Sequence, residues 1–214
     1  MTVTEKKERA EKVVGILKRK YPAAECELRY EGDAWRLLVM SRLSAQCTDK
    51  RVNIVSKELF EHFPTAEKMA EGDLAEIEKI VYPCGVYRVK AKNIKDMSGM
   101  IVNDFGGVVP KEMDELLKLP GVGRKIANLI IGDIYGLPAI VADTHCIRIS
   151  NRLGLCTSKD PAKVEKQLSE IVPPEEQSDF CHRLVMFGRE VCEKAEVRRL
   201  PVCRYEMHNR IIIY

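Results

Sequence analysis

Apolar residues recur at helical spacing along almost the whole chain, and this periodicity is the strongest constraint on the fold. One such segment follows Asp33, a plausible N-cap, and contains Trp35, Leu38, Val39 and Leu43. No segment shows the alternation of apolar and polar residues that is typical of a half-buried strand. The pattern therefore predicts an all-α protein.

Capping residues and helix breakers mark where the predicted helices begin and end. Asp160 with Pro161 in the first turn begins one helix, and Gly136 stops another. The last long helix is predicted to begin at Ser178 or Asp179.

The size and charge of the chain narrow the classes of protein to which it can belong. Its 214 residues suffice for one large domain or two small ones, and its formal net charge is only +3. Such a charge does not by itself indicate a nucleic-acid partner, so any basic face must be local. We expect no membrane span and no signal peptide, and hence a cytoplasmic location, because no sufficiently long apolar run is present.

The segment LPGVGRK, residues 119–125, places a glycine-rich turn between two helical patterns. Gly121 and Gly123 can adopt backbone angles that are closed to other residues, and they let a phosphate approach the N–H groups at the start of the second helix. A turn between two helices needs one glycine for its own sake, but this explains neither the second glycine nor the Arg-Lys pair. The segment therefore favours binding to a nucleic-acid backbone.

Lys125 stands where the second helix begins, and Asp143 follows further along the chain with His145 close behind. The positive end of the helix dipole and the neighbouring Arg124 favour the neutral form of an amine at this position. A neutral lysine amine beside a nucleic-acid backbone is a nucleophile, and an aspartate supplies the negative charge that such a site needs. Taken singly, Lys125 would be a solvated lysine and Asp143 a helix cap; together they suggest a catalytic pair.

Four short segments carry a resemblance to a known family: residues 43–49, 85–91, 119–128 and 141–145. Through them the chain resembles endonuclease III, a family of helix-hairpin-helix DNA glycosylases that also cleave abasic sites. The likeness extends over about residues 37–192. The match at Lys125 matters most, because adenine-excising relatives lack that lysine.

The resemblance implies an all-helical, two-lobed fold. One lobe is a bundle of residues 27–137 that contains the helix-hairpin-helix at about 112–135, and the other combines residues 1–26 with 138–214. In such a fold DNA lies across the cleft between the lobes. Lys125 and Asp143 are expected to face each other at its mouth.

The resemblance also implies a function in base excision repair. The expected activity is removal of oxidised or saturated pyrimidines from duplex DNA, followed by β-elimination at the abasic site. Lys125 would attack the sugar C1′, and Asp143 would stabilise the cationic sugar or help to deprotonate the amine. The expected partner is double-stranded DNA with a damaged base or abasic site, bound by a nucleoid-associated monomer.

The same resemblance suggests which residues contact DNA. Gln46 matches the residue that fills the space left by the extruded nucleotide, and Val86 matches an apolar wedge. The expected DNA-binding set is Gln46, Val86, Gly121, Val122, Gly123, Arg124, His145 and Arg148. Other basic residues that could hold phosphates are Arg88, Lys90, Lys92, Lys95 and Arg152.

The C-terminal segment departs from the family. Most members hold a [4Fe–4S] cluster there through four cysteines, and such a cluster needs four thiolates. Cys192 matches the first ligand and Cys203 is one residue out of register, while the next three ligand positions hold Arg199, Val202 and His208. We therefore expect no cluster and no other metal. A site built from Cys192, Cys203 and His208 stays open, and most of the other cysteines are expected to be reduced, buried thiols.

Two other functions also stay open. A non-catalytic relative that recognises DNA damage would not need Lys125 and Asp143 as a pair. A glycosylase for uracil, mismatched thymine or an alkylated base is compatible with the same motifs, because the shape of the base pocket sets the choice of base.

Overall fold

The structure, a computed structural model, describes residues 2–191. Within this range it contains helices but no β-strand, so the all-α prediction is confirmed there. The α-helices are α1 (Val3–Lys20), α2 (Ala34–Leu43), α3 (Asp49–His62), α4 (Ala66–Glu71), α5 (Leu74–Val81), α6 (Tyr87–Phe105), α7 (Met113–Leu116), α8 (Arg124–Asp133), α9 (Thr144–Arg152), α10 (Pro161–Ser169) and α11 (Gln177–Glu190). Single 3₁₀ turns occupy Tyr82–Cys84 and Pro174–Glu176. None of these helices combines the length and apolar character that crossing a bilayer demands.

Side-chain caps explain where many of the helices begin. Asp33 Oδ1 accepts a hydrogen bond from the Arg36 N–H at 2.8 Å, and Asp160 Oδ1 accepts one from the Lys163 N–H at 2.9 Å. Such a cap satisfies an unpaired N–H group of the first turn and is worth about 1 kcal/mol. The predicted helix starts after Asp33 and at Pro161 are confirmed.

The last long helix begins earlier than the sequence predicts. Helix α11 starts at Gln177, directly after the 3₁₀ turn, so Ser178 and Asp179 lie inside its first turn. The predicted start was wrong because the chain enters the helix from a turn that is already wound, without a side-chain cap. Asp179 instead pairs with Arg183 one turn further along, at 2.7 Å.

The apolar spacing does not predict helix α4, because this helix has only 6 residues. Its buried side chains are Ala66 and Met69. Its C-terminal end is held by α6, where Lys95 Nζ donates to the carbonyl oxygens of Ala70 and Gly72, both at 2.6 Å. Tertiary contacts therefore stabilise a helix that is too short to persist alone.

The chain divides into two compact units, and the first is the continuous segment Cys26–Tyr135. Helix α2 is its most deeply buried element, with Leu37 and Leu38 fully enclosed. It packs against α3, α6 and α8, and Trp35 Nε1 donates to Ser98 Oγ on α6 at 2.8 Å. This unit carries the glycine-rich turn.

The second unit is formed by the described residues on either side of that segment. Helix α11 packs against α1 and α9, and its side chains Phe180, Leu184 and Phe187 are buried. The boundaries predicted from the sequence, 27 and 137, lie within two residues of the observed ends Cys26 and Tyr135.

Candidate functional site

The glycine-rich turn joins α7 to α8, and Gly121 is the residue that its geometry requires. Gly121 has a φ of +79°, a left-handed conformation that favours glycine. A Cβ atom at this position would lie 2.6 Å from Arg42 Nε and 2.9 Å from Asn93 Oδ1. These side chains are bonded to each other, with Arg42 Nε donating to Asn93 Oδ1 at 3.0 Å. Both the backbone and the packing therefore exclude a side chain here.

Gly123 differs, because its conformation does not need a glycine. Its φ of −106° and ψ of 176° are extended values that any residue adopts, and nothing lies within 4 Å of a Cβ built there. Gly123 is the N-cap of α8, yet it has no side chain to accept from the N–H of Lys125 or Ile126. This helix N-terminus is therefore open to an approaching anion such as a phosphate.

The residues around Gly123 divide into those that shape the turn and those that carry charge. The Val122 side chain is buried, and its N–H donates to the Leu119 carbonyl oxygen at 3.1 Å. Arg124 and Lys125 are exposed in the first turn of α8. Val122 thus holds the turn together, whereas Lys125 presents an amine at the start of the helix.

Gln46 and Val86 share an unusual backbone conformation. Their φ values are +55° and +47°, and Glu31 is the other described non-glycine residue with a positive φ. This conformation is strained for a β-branched residue such as Val86, at a cost of about 1–3 kcal/mol. Both residues are exposed, Val86 to 59%. The two residues that resemblance matches to DNA insertion are thus also strained, as is common at ligand-binding sites.

Lys90 connects the segments that carry these two residues. Its Nζ donates to the Leu43 carbonyl at 2.8 Å and to the Cys84 carbonyl at 2.7 Å. Because Lys90 is only 1% exposed, the suggestion that it holds a phosphate is wrong. The sequence contained a signal for this burial, since Lys90 precedes Ile94 and Met97 at the helical spacing of an apolar face.

Lys95 is half-buried, and its Nζ donates to the carbonyl oxygens of Ala70 and Gly72. This amine is therefore committed to the packing of α4, and the suggestion that it holds a phosphate is wrong as well.

Two other basic residues of α6, Arg88 and Lys92, remain at the surface. Lys92 pairs with Asp96 at 2.6 Å, and Arg88 lies 4.0 Å from Glu78 and stacks over the Tyr87 ring. Exposed ion pairs of this kind are weak and can be exchanged for phosphate. Arg88 and Lys92 therefore stay predictions as phosphate contacts.

Asp143 is the N-cap of α9, in the second unit, whereas Lys125 belongs to the first. Asp143 Oδ1 accepts a hydrogen bond from the Cys146 N–H at 2.7 Å, and this bond fixes the direction of the half-buried carboxylate. The cap employs one carboxylate oxygen, so the residue can be both a cap and a chemical group.

His145 and Arg148 form a pair on α9. Arg148 Nη2 donates to His145 Nδ1 at 3.1 Å, so this ring nitrogen accepts and carries no proton. The His145 ring also packs against Gly188 on α11, where a Cβ would collide with it. His145 is thus built into the packing of its unit, and its contact with DNA stays a prediction.

The donor set does not fit the iron–sulfur cluster of the family. Among residues 2–191, no group of three or more His, Cys, Asp or Glu side chains is arranged to hold a metal ion. The expected ligand positions and the alternative site fall outside the described residues; they are Cys192, Arg199, Val202, Cys203 and His208. Two cysteines stand where four thiolates are needed.

The described cysteines are free thiols. Burial together with the neighbouring Cys47 raises the pKa of the Cys84 thiol to about 12.

Comparison with known proteins supports the resemblance to endonuclease III that the sequence motifs indicate. The family model of the HhH-GPD superfamily of base excision DNA repair proteins matches residues 39–174. Endonuclease III of Bacillus subtilis (strain 168) is 46% identical over 86% of this chain and 86% of its own length. Endonuclease III of Synechocystis sp. is 43% identical over 92% of this chain and 89% of its own length.

Solved structures agree with this result. A non-covalent endonuclease III–DNA complex superposes with a TM-score of 0.85 at 40% identity, covering 91% of this chain and 92% of that one. A trapped endonuclease III–DNA covalent intermediate gives a TM-score of 0.84 at 40% identity, covering 91% of this chain and 92% of that one. A thermostable thymine-DNA glycosylase shares the fold, with a TM-score of 0.78 at 20% identity, 88% of this chain and 90% of that one being covered. The chain therefore belongs to the endonuclease III family within the HhH-GPD superfamily of base excision DNA repair proteins.

Proposed function

We propose that Lys125 is the nucleophile with which this protein removes oxidised or saturated pyrimidines from duplex DNA and then cleaves the abasic site. Its family makes it a DNA glycosylase with abasic-site lyase activity. The observation that best supports the assignment of Lys125 is its position. It is an exposed amine in the first turn of α8, directly after a turn that leaves the helix N-terminus open to phosphate.

The chemistry is that of a lysine amine acting as the nucleophile. Lys125 Nζ forms a bond to the sugar C1′ while the glycosidic bond breaks, and the departing base takes up a proton. The amine then loses a proton and the sugar ring opens: the C1′–O4′ bond breaks, O4′ takes up a proton, and a protonated Schiff base forms between C1′ and Nζ. This Schiff base makes a C2′ proton acidic, and removal of that proton breaks the C3′–O3′ bond, so that the 3′ phosphate departs by β-elimination. Asp143 would stabilise the cationic sugar or accept the proton of the amine. A related endonuclease III has been trapped as a covalent intermediate with DNA, which supports this route.

DNA binding would use the two exposed, strained residues and the glycine-rich turn. A nucleotide must leave the base stack before C1′ can be reached, and damage lowers the cost. Gln46 would fill the vacated space, and Val86 would act as a wedge. Contacts from Gly121, Gly123 and Arg124 to phosphate would position the duplex without reading its sequence.

We also propose that the protein acts as a monomer on DNA of the nucleoid, without an iron–sulfur cluster. The support for the last point is the donor set, in which arginine, which cannot ligate iron, stands at one ligand position. Protein purified without oxygen should be colourless, iron-free and active. Near-stoichiometric iron with visible charge-transfer absorbance would contradict this.

Borohydride trapping tests the nucleophile and the lesion class together. Duplexes with thymine glycol, an abasic site, uracil, mismatched thymine or an alkylated base are incubated with and without borohydride. Wild type should form a covalent complex with the thymine-glycol and abasic duplexes. Lys125→Gln should abolish trapping while DNA binding persists. Lys118→Gln, which removes an exposed lysine just before the same turn, should retain both.

Each alternative function gives a different result. Binding to damaged DNA without excision or trapping would indicate a non-catalytic relative. Excision of uracil, thymine or alkylated bases alone would indicate a glycosylase for another base. Trapping of Lys125→Gln at full yield would show that another residue is the nucleophile.

A further inference from the structure

Lys90 has an environment that lysine rarely occupies. It is 1% exposed, and its Nζ donates two hydrogen bonds, both to backbone carbonyl oxygens. Burial lowers the pKa of this amine, which reflects the cost of removing a cation from water. The neighbouring positions of the same helix face, Ile94 and Met97, are apolar and fully buried. An apolar residue would therefore suit this face better if packing alone decided it.

The two carbonyl groups that Lys90 contacts lie next to the two strained residues. Leu43 is the last residue of α2, and the turn that follows it contains Gln46. Cys84 ends the 3₁₀ turn that leads into Val86, the N-cap of α6. The ammonium group of Lys90 therefore links the start of the segment that carries Gln46 to the start of the segment that carries Val86. The strained conformations of Gln46 and Val86 need such support, because strain persists only where the surroundings hold it.

A second contact from the same helix extends this arrangement to the glycine-rich turn. Asn93 lies one turn beyond Lys90 on α6, and its Oδ1 accepts from Arg42 Nε at 3.0 Å. These two side chains pack directly against Gly121. Helix α6 thus ties together the three segments that carry Gln46, Val86 and the glycine-rich turn.

We propose that Lys90 is a positioning residue that holds Gln46 and Val86 at the separation and orientation needed to enter a DNA duplex together. The proposal rests on the proposed function, in which these two residues replace the extruded nucleotide. Lys90 itself touches neither DNA nor the reacting atoms. Its loss should impair extrusion of a stacked nucleotide and spare reaction at a sugar that is already unstacked.

The chain contains a matched control for this proposal on the same helix. Lys95 Nζ also donates to two backbone carbonyl oxygens, those of Ala70 and Gly72, at 2.6 Å each. These bonds hold the end of α4, and neither acceptor belongs to the segments that carry Gln46 and Val86. Lys95→Met removes the same chemical interaction as Lys90→Met and so reports the purely structural cost of such a loss.

The decisive experiment compares two substrates. One is a duplex with a paired thymine glycol, and the other is a single-stranded oligonucleotide with an abasic site, which needs no extrusion from a duplex. Lys90→Met should lower kcat/KM on the duplex by about 10–100-fold, the size expected for a small misplacement of positioned groups. Borohydride trapping on the single strand should stay within about threefold of wild type, and Lys95→Met should stay within about threefold on both substrates.

Two further measurements distinguish positioning from a general weakening of the fold. Gln46→Ala should reduce duplex activity strongly in wild type and much less in the Lys90→Met background, because residues that act as a unit are not additive. The fluorescence of a 2-aminopurine opposite a tetrahydrofuran site should rise on binding wild type and less on binding Lys90→Met. Lys90→Gln keeps an amide donor and should recover part of both signals.

Several results would overturn the proposal. One is an equal loss of activity on both substrates in Lys90→Met, and another is a loss of the same size in Lys95→Met. A third is a cost of Gln46→Ala that is the same in wild type and in the Lys90→Met background. Unfolding of both Lys90→Met and Lys90→Gln at the assay temperature would make Lys90 a residue of the fold alone. If wild type itself neither excises nor traps, the proposed function fails first, and this proposal fails with it.

Discussion

Among residues 2–191, each of the two units buries one basic side chain, and the units stabilise that charge in different ways. Lys90 in the first unit is 1% exposed and Arg183 in the second is 2% exposed. Arg183 donates to two carboxylates, at 2.6 Å to Glu176 and 2.7 Å to Asp179. Lys90 instead donates to backbone carbonyl oxygens that lie beside strained segments. Arg183 pairs with carboxylates of its own helical region and supports the fold, whereas Lys90 ties together the segments that carry Gln46 and Val86.

The candidate site residues of the two units also differ in their backbone conformations. In the first unit, Gln46, Val86 and Gly121 all have left-handed backbone conformations. In the second, Asp143 is a regular N-cap with an ordinary hydrogen bond. Two of the three described non-glycine residues with a positive φ, Gln46 and Val86, thus lie where DNA is proposed to enter. The other unit presents its candidate catalytic group from an unstrained helix start.

Among the variants that compare the two units, Asp143→Asn should have the largest effect. Turnover should fall by about 10²–10³-fold, because the charge acts on the transition state. The free energy of unfolding should change little, because asparagine caps helices about as well as aspartate. The control is Asp160→Asn, the same change at the cap of α10, which should alter neither the turnover nor the free energy of unfolding. Single-turnover kinetics and DNA titration test this, and equal losses in rate and affinity would reduce Asp143 to a structural cap.

Arg183→Met should have the next largest effect, on stability. The change leaves Asp179 without its cation and leaves Glu176 with Lys18 alone. It should lower the free energy of unfolding by about 2–3 kcal/mol, less than for a fully enclosed pair because Asp179 is half-exposed. Lys90→Met should cost less, because it leaves only carbonyl groups unpaired. Urea unfolding measures both variants. Equal losses would remove the distinction between the two buried cations.

Gly121→Ala and Gly123→Ala should separate stability from DNA binding. Gly121→Ala should lower the free energy of unfolding by about 1–3 kcal/mol, since alanine there is strained and collides with Arg42. Gly123→Ala should leave stability within about 0.5 kcal/mol, yet weaken binding to every duplex, because a Cβ would stand where phosphate approaches. Gly99→Ala, inside α6, is the control and should not affect binding. Weakening confined to one lesion would argue against a phosphate contact.

The smallest effect is expected from the pH dependence of the second unit. Hydrogen bonds from Lys18 and Arg183 hold the pKa of the Glu176 carboxyl below its usual value. Its contribution to stability is therefore complete above the pKa of the unfolded chain and is lost as the pH falls through the folded pKa. Wild type should lose stability in acid more steeply than Glu176→Gln, as measured by urea unfolding between about pH 6 and pH 3. Parallel curves would show that this carboxylate contributes nothing.

Local patterns were sufficient for much of the fold. The start of α2 after Asp33 and the capping role of Asp143 could be predicted because a cap depends on residues within one helical turn. Helix α4 could not, because it depends on Lys95 from a distant part of the chain. The start of α11 was misplaced because a wound turn precedes it.

The candidate site shows the same division. The glycine-rich turn, Lys125 and Asp143 stand out in the sequence because their residue types and spacing carry the chemistry. The sequence leaves Lys90 a candidate phosphate contact, because a lysine on an apolar helix face can either reach solvent or be buried. Only the carbonyl groups of Leu43 and Cys84, brought to it by the fold, decide which occurs.

Residue types at short spacing were enough to predict the helical class, several helix caps, the family and the identity of the chemical groups. Contacts between distant segments settle that a Cβ at Gly121 would collide with Arg42 and Asn93 while one at Gly123 would meet nothing, and that Gln46 and Val86 are strained. The physical reason is that backbone strain and burial depend on atoms from segments far apart in the chain. No local pattern specifies how closely those segments approach.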